Sequence, residues 1–205
     1  MKKFLTALVL TGLFFAGNAF AEEGFELAKS VVDALSAGTY YLKYRQNPAD
    51  FAPVTVYNVK DGMVVSFSER VPQPRNLSRD GDWYVINDDN KIMEIYEGRA
   101  TPPMFGRGPY VFAGRGEKTE GDKTLRYEEA VLGDGTTVRF FFEDTVRYLL
   151  KVSVLSQIEL TRPGAERSAF FFVTEFGASV RDSLFDVPKY YTVLDNQQLE
   201  LPLRR

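Results

Sequence analysis

From residue 39 onward the apolar residues of this chain recur at every second position, and the runs are separated by Asp-Gly pairs. Asp61-Gly62, Asp80-Gly81 and Asp134-Gly135 tolerate the positive φ of tight hairpin turns, and Pro163-Gly164 does similar work. Connections this short favour antiparallel neighbours, because a parallel crossover needs a dozen or more residues. Tyr40, Leu42 and Tyr44 alternate with Tyr41, Lys43 and Arg45, and Met63, Val65 and Phe67 alternate with Val64, Ser66 and Ser68. Further runs rich in β-branched and aromatic residues occupy 54–59, 83–86, 92–96, 125–132, 136–142, 146–155 and 168–176. The exception comes first in the chain. Phe25, Ala28, Val32 and Leu35, widened by Leu27 and Val31, follow a helical period that Ala37-Gly38 ends. The pattern predicts a mainly β domain (α+β) with few helices: a large antiparallel meander and one N-terminal amphipathic helix packed against it. The longest interruption, 98–121, holds three prolines and six glycines and reads as a long loop.

The N-terminus reads as an export signal. Lys2 and Lys3 precede an apolar stretch over 4–15, broken only by Thr6, Thr11 and Gly12. Ala19-Phe20-Ala21 then supplies small residues for cleavage after Ala21. The stretch is shorter than the roughly 20 apolar residues that span a bilayer. The chain contains no cysteine, which excludes a lipid-anchored lipoprotein. The expected product is a periplasmic or secreted single domain, 22–205. It has 184 of the 205 residues and a net charge near −5 once Lys2 and Lys3 are gone. That balance offers no attraction for nucleic acid or an anionic membrane.

Chemistry is narrowed mainly by exclusion. With no histidine and no cysteine, Ser-His-Asp and Cys-His catalysis and His- or Cys-ligated zinc sites are absent. Only oxygen ligands remain for a metal, and Asp88-Asp89-Asn90 lacks the glycine and distal glutamate of a calcium loop, so it reads as a solvated hairpin turn. Glu128-Glu129 and Glu143-Asp144 are the visible carboxylate pairs. Neighbours on a strand point to opposite faces, so both pairs are expected at the solvated surface, not converging on a glycoside. Gly106-Arg107-Gly108 and Gly114-Arg115-Gly116 lack the strand-to-helix setting of a phosphate cradle, and their arginines are expected to be exposed. No catalytic constellation, metal site or cofactor is expected, and the chain does not read as an enzyme.

Phe140-Phe141-Phe142 and Phe170-Phe171-Phe172 put large apolar groups on both sides of their strands. Two arrangements fit: an ordinary core covered from both sides, or one face lining an apolar cavity for a hydrophobic ligand.

The segment Arg79-Asp80-Gly81-Asp82-Trp83-Tyr84-Val85-Ile86, followed by 92–96, is similar to the D-G-x-x-W/L-Y/W strand pair of the LolA-like periplasmic lipoprotein carriers. The ending Ser183-Leu184-Phe185-Asp186-Val187-Pro188 is similar to the F-x-x-P close before their last short strand, here 191–194. The resemblance implies a large antiparallel sheet curved into an unclosed barrel, with a concave aromatic face that takes acyl chains under a helical lid. The chain departs from that pattern in showing one clear helix where the carriers use several.

On this reading the chain is a periplasmic binding protein, monomeric and without cofactor. It holds a lipid or lipoprotein acyl chain and exchanges it with a membrane-bound donor or acceptor protein. The residues expected to line its cavity are Tyr40, Leu42, Tyr44, Met63, Val65, Phe67, Trp83, Phe140, Phe142, Phe170 and Phe172. A one-residue change of register would move any strand's set to the other face. The alternatives are a protein-interaction module with a filled core, such as an envelope sensor or assembly factor, and a carboxylate-based hydrolase.

Overall fold

The computed structural model describes residues 24–49, 51–69, 74–147 and 150–194. The expected leader at residues 1–21 lies outside them. Helix α1 (Lys29–Ala37) is followed by β1 (Thr39–Arg45), β2 (Thr55–Lys60), β3 (Met63–Ser68), β4 (Arg75–Arg79), β5 (Asp82–Asn87) and β6 (Ile92–Tyr96). Next come β7 (Val111–Glu120), β8 (Lys123–Val131), β9 (Thr137–Arg147), β10 (Leu150–Thr161) and β11 (Ala169–Gly177). A single 3-10 turn (Asp182–Phe185) and the short β12 (Thr192–Leu194) complete the described chain.

All strands belong to one sheet, in the order β12-β6-β5-β4-β3-β2-β1-β11-β10-β9-β8-β7. β1 lies near the middle because β11 returns to pair with it, joining an N-terminal meander to a C-terminal one. The sheet curves into an unclosed barrel, with β12 and β7 as its free edges. The pairing is antiparallel throughout except at the rim, where β12 runs parallel to β6.

α1 forms where the helical period lies, one turn later than the apolar stripe begins. Phe25 and Ala28 are buried ahead of it. Gly38 ends the helix with φ 67° and donates its N–H to the Ala34 and Leu35 carbonyls, and β1 starts at the next residue. A side chain there would meet both the left-handed φ and the Arg107 guanidinium, so glycine is needed.

The two hairpin tips named by Asp61-Gly62 and Asp80-Gly81 form as expected, with both residues of each at positive φ. Three expectations change. β4 has no strand signal in the sequence: Arg-Asn-Leu-Ser-Arg has one apolar residue and forms by pairing on both sides, with β3 and β5. The 98–121 stretch is a loop only in its first half, since its second half is the ten-residue edge strand β7. Gly116 in β7 leaves room for the Tyr127 ring: a Cβ there would sit 2.7 Å from the Tyr127 hydroxyl. Finally, Glu143-Asp144 lies inside β9 instead of ending it. Cross-strand partners carry the charges there, Lys123 for Glu143 and Arg126 and Lys151 for Asp144.

The two faces of the sheet have separate cores. On the concave face, α1 packs onto β1 and β11, and its buried residues join one core with residues of β2, β3, β8–β10 and the loop residues Met104, Phe105 and Tyr110. On the convex face of β3–β6, Val65, Leu77, Ile86 and Met93 are covered by Phe185 and its neighbours in the C-terminal segment. Among the described residues no helix is long and apolar enough to cross a membrane.

Candidate functional site: a covered aromatic face

Alternation along β1 places Tyr40, Leu42 and Tyr44 on the concave face, all three buried. Cross-strand register carries that face onward. Leu42 opposes Tyr57 of β2 and Phe176 of β11, while Phe140 and Phe142 of β9 oppose Ile158 and Leu155 of β10. On β11 a bulge shifts the register opposite Lys43/Tyr44, so the inward residues are Phe171, Val173 and Phe176. Rings meet edge-on between Tyr44 and Phe171 at 5.2 Å, and Tyr40 stacks on Phe176 at 6.2 Å.

Five of the eleven expected cavity residues, Tyr40, Leu42, Tyr44, Phe140 and Phe142, are therefore brought together on this face. The other six are not. Met63 opposes Lys60, Val65 opposes Asn58, and Phe67 opposes Val56, which puts all three on the convex face with the C-terminal segment. Their neighbour Val64 is the one that points inward. Phe170 and Phe172 are also convex. Phe171 is the inward member of that triplet, while Phe170 is 37% exposed under the Lys118 ammonium. On β11 apolar residues stand on both sides and the pattern does not choose between them, whereas on β3 the apolar side, Met63, Val65 and Phe67, packs under the C-terminal segment instead of facing inward. Trp83 does share the concave face, in the row Tyr40–Val59–Val64–Ser78–Trp83–Tyr96. It lies four strands from β1, about 19 Å away, and stacks on Tyr96 at 4.6 Å instead of joining the cluster.

The cover is built from α1 and from the loop between β6 and β7. The loop crosses the concave face on three hydrogen bonds: Ala100 N–H to the Gly81 carbonyl, Thr101 N–H to Ser78 Oγ, and Met104 N–H to the Tyr57 hydroxyl at 2.7 Å. It then inserts Phe105, which is 1% exposed and meets the rings of Tyr40 and Phe171 at 6.3 and 5.7 Å. Tyr110 follows, its hydroxyl donating to the Gly106 carbonyl. Neither aromatic was among the expected residues, because a Pro- and Gly-rich stretch gives no periodicity from which to read an inward direction.

Burial raises four tyrosine hydroxyls on this face, Tyr44, Tyr57 to about 12, and Tyr40 and Tyr110 further still. The Tyr40 hydroxyl lies beside the Phe105 backbone without a well-formed hydrogen bond to any described residue. These phenols are neutral, so the face is aromatic and uncharged at its centre.

Charge appears at the rim. Glu128, expected at the solvated surface, is 2% exposed. It points inward from β8, opposite Phe140, while Glu129 points outward to Arg139. The Glu128 carboxylate accepts the backbone N–H groups of Glu26, Leu27 and Ala28, at 3.0, 3.1 and 2.8 Å. Successive amides that converge in this way form an anion-binding concavity, and the positive end of the α1 dipole adds to it. Beside it, Arg115 pairs with the Glu26 carboxylate at 2.7 Å and donates to the Gly24 carbonyl at 2.8 Å. A cavity of about 210 Å³ opens at this point, lined by Glu26, Leu27, Arg115, Glu117, Arg126 and Tyr127 among others. One signal for Glu128 was present in the sequence: on a strand, one of two adjacent glutamates must face the core side.

No protein-family model matches this chain, and no curated protein matches it. Among solved structures it is similar to an uncharacterized conserved protein from Thermus thermophilus, over 83% of this chain and 99% of that one, with 9% identity and a TM-score of 0.36. At that level the likeness informs neither fold nor function.

Proposed function

We propose that this chain is a periplasmic binding protein for a hydrophobic ligand, a lipid or the acyl chains of a lipoprotein. It takes that ligand from, or yields it to, a membrane-bound partner. The reading rests on one observation above all. The centre of the aromatic face is filled by Phe105, and that side chain comes from a loop without regular structure. An acyl chain needs the same contacts that Phe105 makes with Tyr40 and Phe171. Exchange of one for the other leaves the strands in place. Burying an acyl chain contributes about 0.8 kcal/mol per methylene, so about ten methylenes outweigh a displaced phenylalanine.

Native mass spectrometry of the mature protein taken from the periplasm, with organic extraction of its cargo, tests the reading directly. A bound lipid of defined mass is the expected result. Phe105→Ala removes the competitor and leaves an apolar void; it should tighten fatty-acid uptake by at least about tenfold while lowering stability by about 3 kcal/mol. A bare mass, with no uptake of fatty acid or lipopeptide by either form, would sink the proposal.

A second reading is favoured by the tightness of the same interior, where Tyr40, Leu42 and Phe140 show no exposed surface. In that case the molecule is a protein-interaction module of the envelope and Phe105 is a fixed wedge. Phe105→Ala then destabilises the fold without creating any affinity for lipid.

A further inference from the structure

The two free edges of the sheet differ in length and in charge. β12 offers three residues and runs parallel to β6. β7 offers ten, and among the described residues no strand pairs with its outer side. A long bare edge presents unpaired N–H and C=O groups to any strand that matches it, and proteins usually blunt such an edge with charge. The charges of β7 cancel, Arg115 and Lys118 against Glu117 and Glu120. The bulge between Phe112 and Gly114 leaves 114–120 as its regular run. Within that run Arg115 opposes Glu128 and Glu117 opposes Arg126 on β8, so both point to the concave face, where they border the same cavity. Arg115 donates to Glu26 and to the Gly24 carbonyl but stays half exposed, and a guanidinium carries five N–H donors. Glu117 has no ion-pair partner among the described residues.

We propose that β7 pairs antiparallel with β7 of a second copy of this chain, about a two-fold axis at Gly116. Such an axis stands perpendicular to the sheet, so opposed residues come from the same face, and the register must centre on a residue of the run. Centring on Arg115, Glu117, Lys118 or Glu120 sets that residue against its own copy, and like charges directly opposite are destabilising. Centring on Gly114 runs the pairing into the bulge and matches no charges. Centring on Thr119 matches Lys118 with Glu120, but the turn at Gly121 leaves only 118–120 to pair. Gly116 sets Arg115 opposite Glu117 twice, once on each side of the axis, and Gly114 opposite Lys118. Open space around Gly114 leaves room for the Lys118 stem. The product is one sheet continuous across both copies, in place of the monomer that the sequence led us to expect. The cavities bordered by Arg115, Gly116 and Glu117 then adjoin at the axis, and each gains a charged residue from the other copy. This association goes beyond the carrier reading and is independent of what the concave face binds.

The test is sedimentation equilibrium of the full-length mature chain as wild type, Glu117→Arg and Arg115→Glu. Wild type should dimerise. Each variant alone replaces two attractive pairs with two repulsive ones and should weaken the dimer by at least about tenfold. An equal mixture of the two variants restores both opposite-charge pairs and should recover the dimer, which a misfolded variant cannot do. Arg115 also holds Glu26 and Gly24, so Arg115→Glu could fail to fold. Hydrogen exchange at the amides of 114–118 then decides: it should slow as protein concentration rises in wild type, and should not in Glu117→Arg. A wild type that stays monomeric at every concentration overturns the proposal. A dimer that the folded variants leave unchanged also overturns it, because another surface then makes the contact. A mixture of folded variants that does not recover overturns the Gly116 register. Protection of 114–118 that is independent of concentration overturns the association, because a segment of the same chain then covers the edge.

Discussion

The sheet carries a cover on each face, and the two covers are fastened by opposite chemistry. On the concave side a carboxylate, Glu128, grips backbone N–H groups leading into α1. On the convex side two guanidiniums grip backbone carbonyls: Arg75 reaches Leu184 and Asp186, and Arg79 reaches Phe185. The concave core joins α1, the loop and two groups of strands, with buried phenols among its aromatics. The convex core is small, is centred on Phe185, and buries no tyrosine fully. The contrast teaches that each cover is held by the charge its backbone calls for, a carboxylate for N–H groups and guanidiniums for carbonyls. The C-terminal segment fastens at residues spread along its length, with Tyr191 also donating to Asp88 and β12 adding strand pairing, so no single release frees it. α1 is fastened by a buried carboxylate at its N-terminal end and by apolar packing along its length.

The largest effect that separates the faces comes from the phenylalanine triplets. Phe140→Ala, on the fully buried concave side, should cost about 4 kcal/mol, whereas Phe170→Ala on the convex side should cost at most about 1 kcal/mol. Denaturant midpoints decide this. Equal losses would mean that Phe170 is packed as firmly as Phe140, and the comparison would break.

Alkaline pH should act on the concave side first. Unfolded tyrosine ionises near pH 10, while burial holds Tyr57 to about 12 and Tyr40 and Tyr110 above that. Raised folded values mean that the stability they contribute is whole below pH 10 and is lost as pH climbs from there toward the folded values. The loss approaches about 1.4 kcal/mol per pH unit for each tyrosine. Urea midpoints at pH 9, 10 and 11 should fall accordingly, and Tyr40→Phe should flatten the slope. A profile that stays level to pH 11 contradicts the burial of these hydroxyls.

The smallest expected change is on the convex fastening. Arg75→Ala removes two hydrogen bonds to carbonyls and an ion pair with Asp88, at a cost of about 1–2 kcal/mol. Limited proteolysis should then cut within 180–194 before the sheet unfolds. If cleavage appears instead ahead of α1, the C-terminal segment is the firmer cover and the comparison is reversed.

The sequence by itself determined a great deal of this molecule. Period-two runs and the Asp-Gly pairs led to a large antiparallel sheet, and one amphipathic stretch led to one helix. Both signals are local, carried by residues within a few positions of each other. The resemblance-based expectation of an open, curved sheet also holds. Tertiary structure alone decided which side is inside. Phe171 instead of Phe170 and Phe172 faces the concave core because of a bulge on β11, which leaves no mark in a strand that is apolar on both sides, and Met63, Val65 and Phe67 face the convex core because the C-terminal segment covers that side of β3. Tertiary structure also placed Phe105 and Tyr110 in the core from a loop that has no period to read, and it recruited β4 and β7 as strands through their neighbours. Its least local decision was Glu128. A glutamate on a strand is usually solvated, and this one is buried because three amides about a hundred residues earlier in the chain supply what water would have supplied.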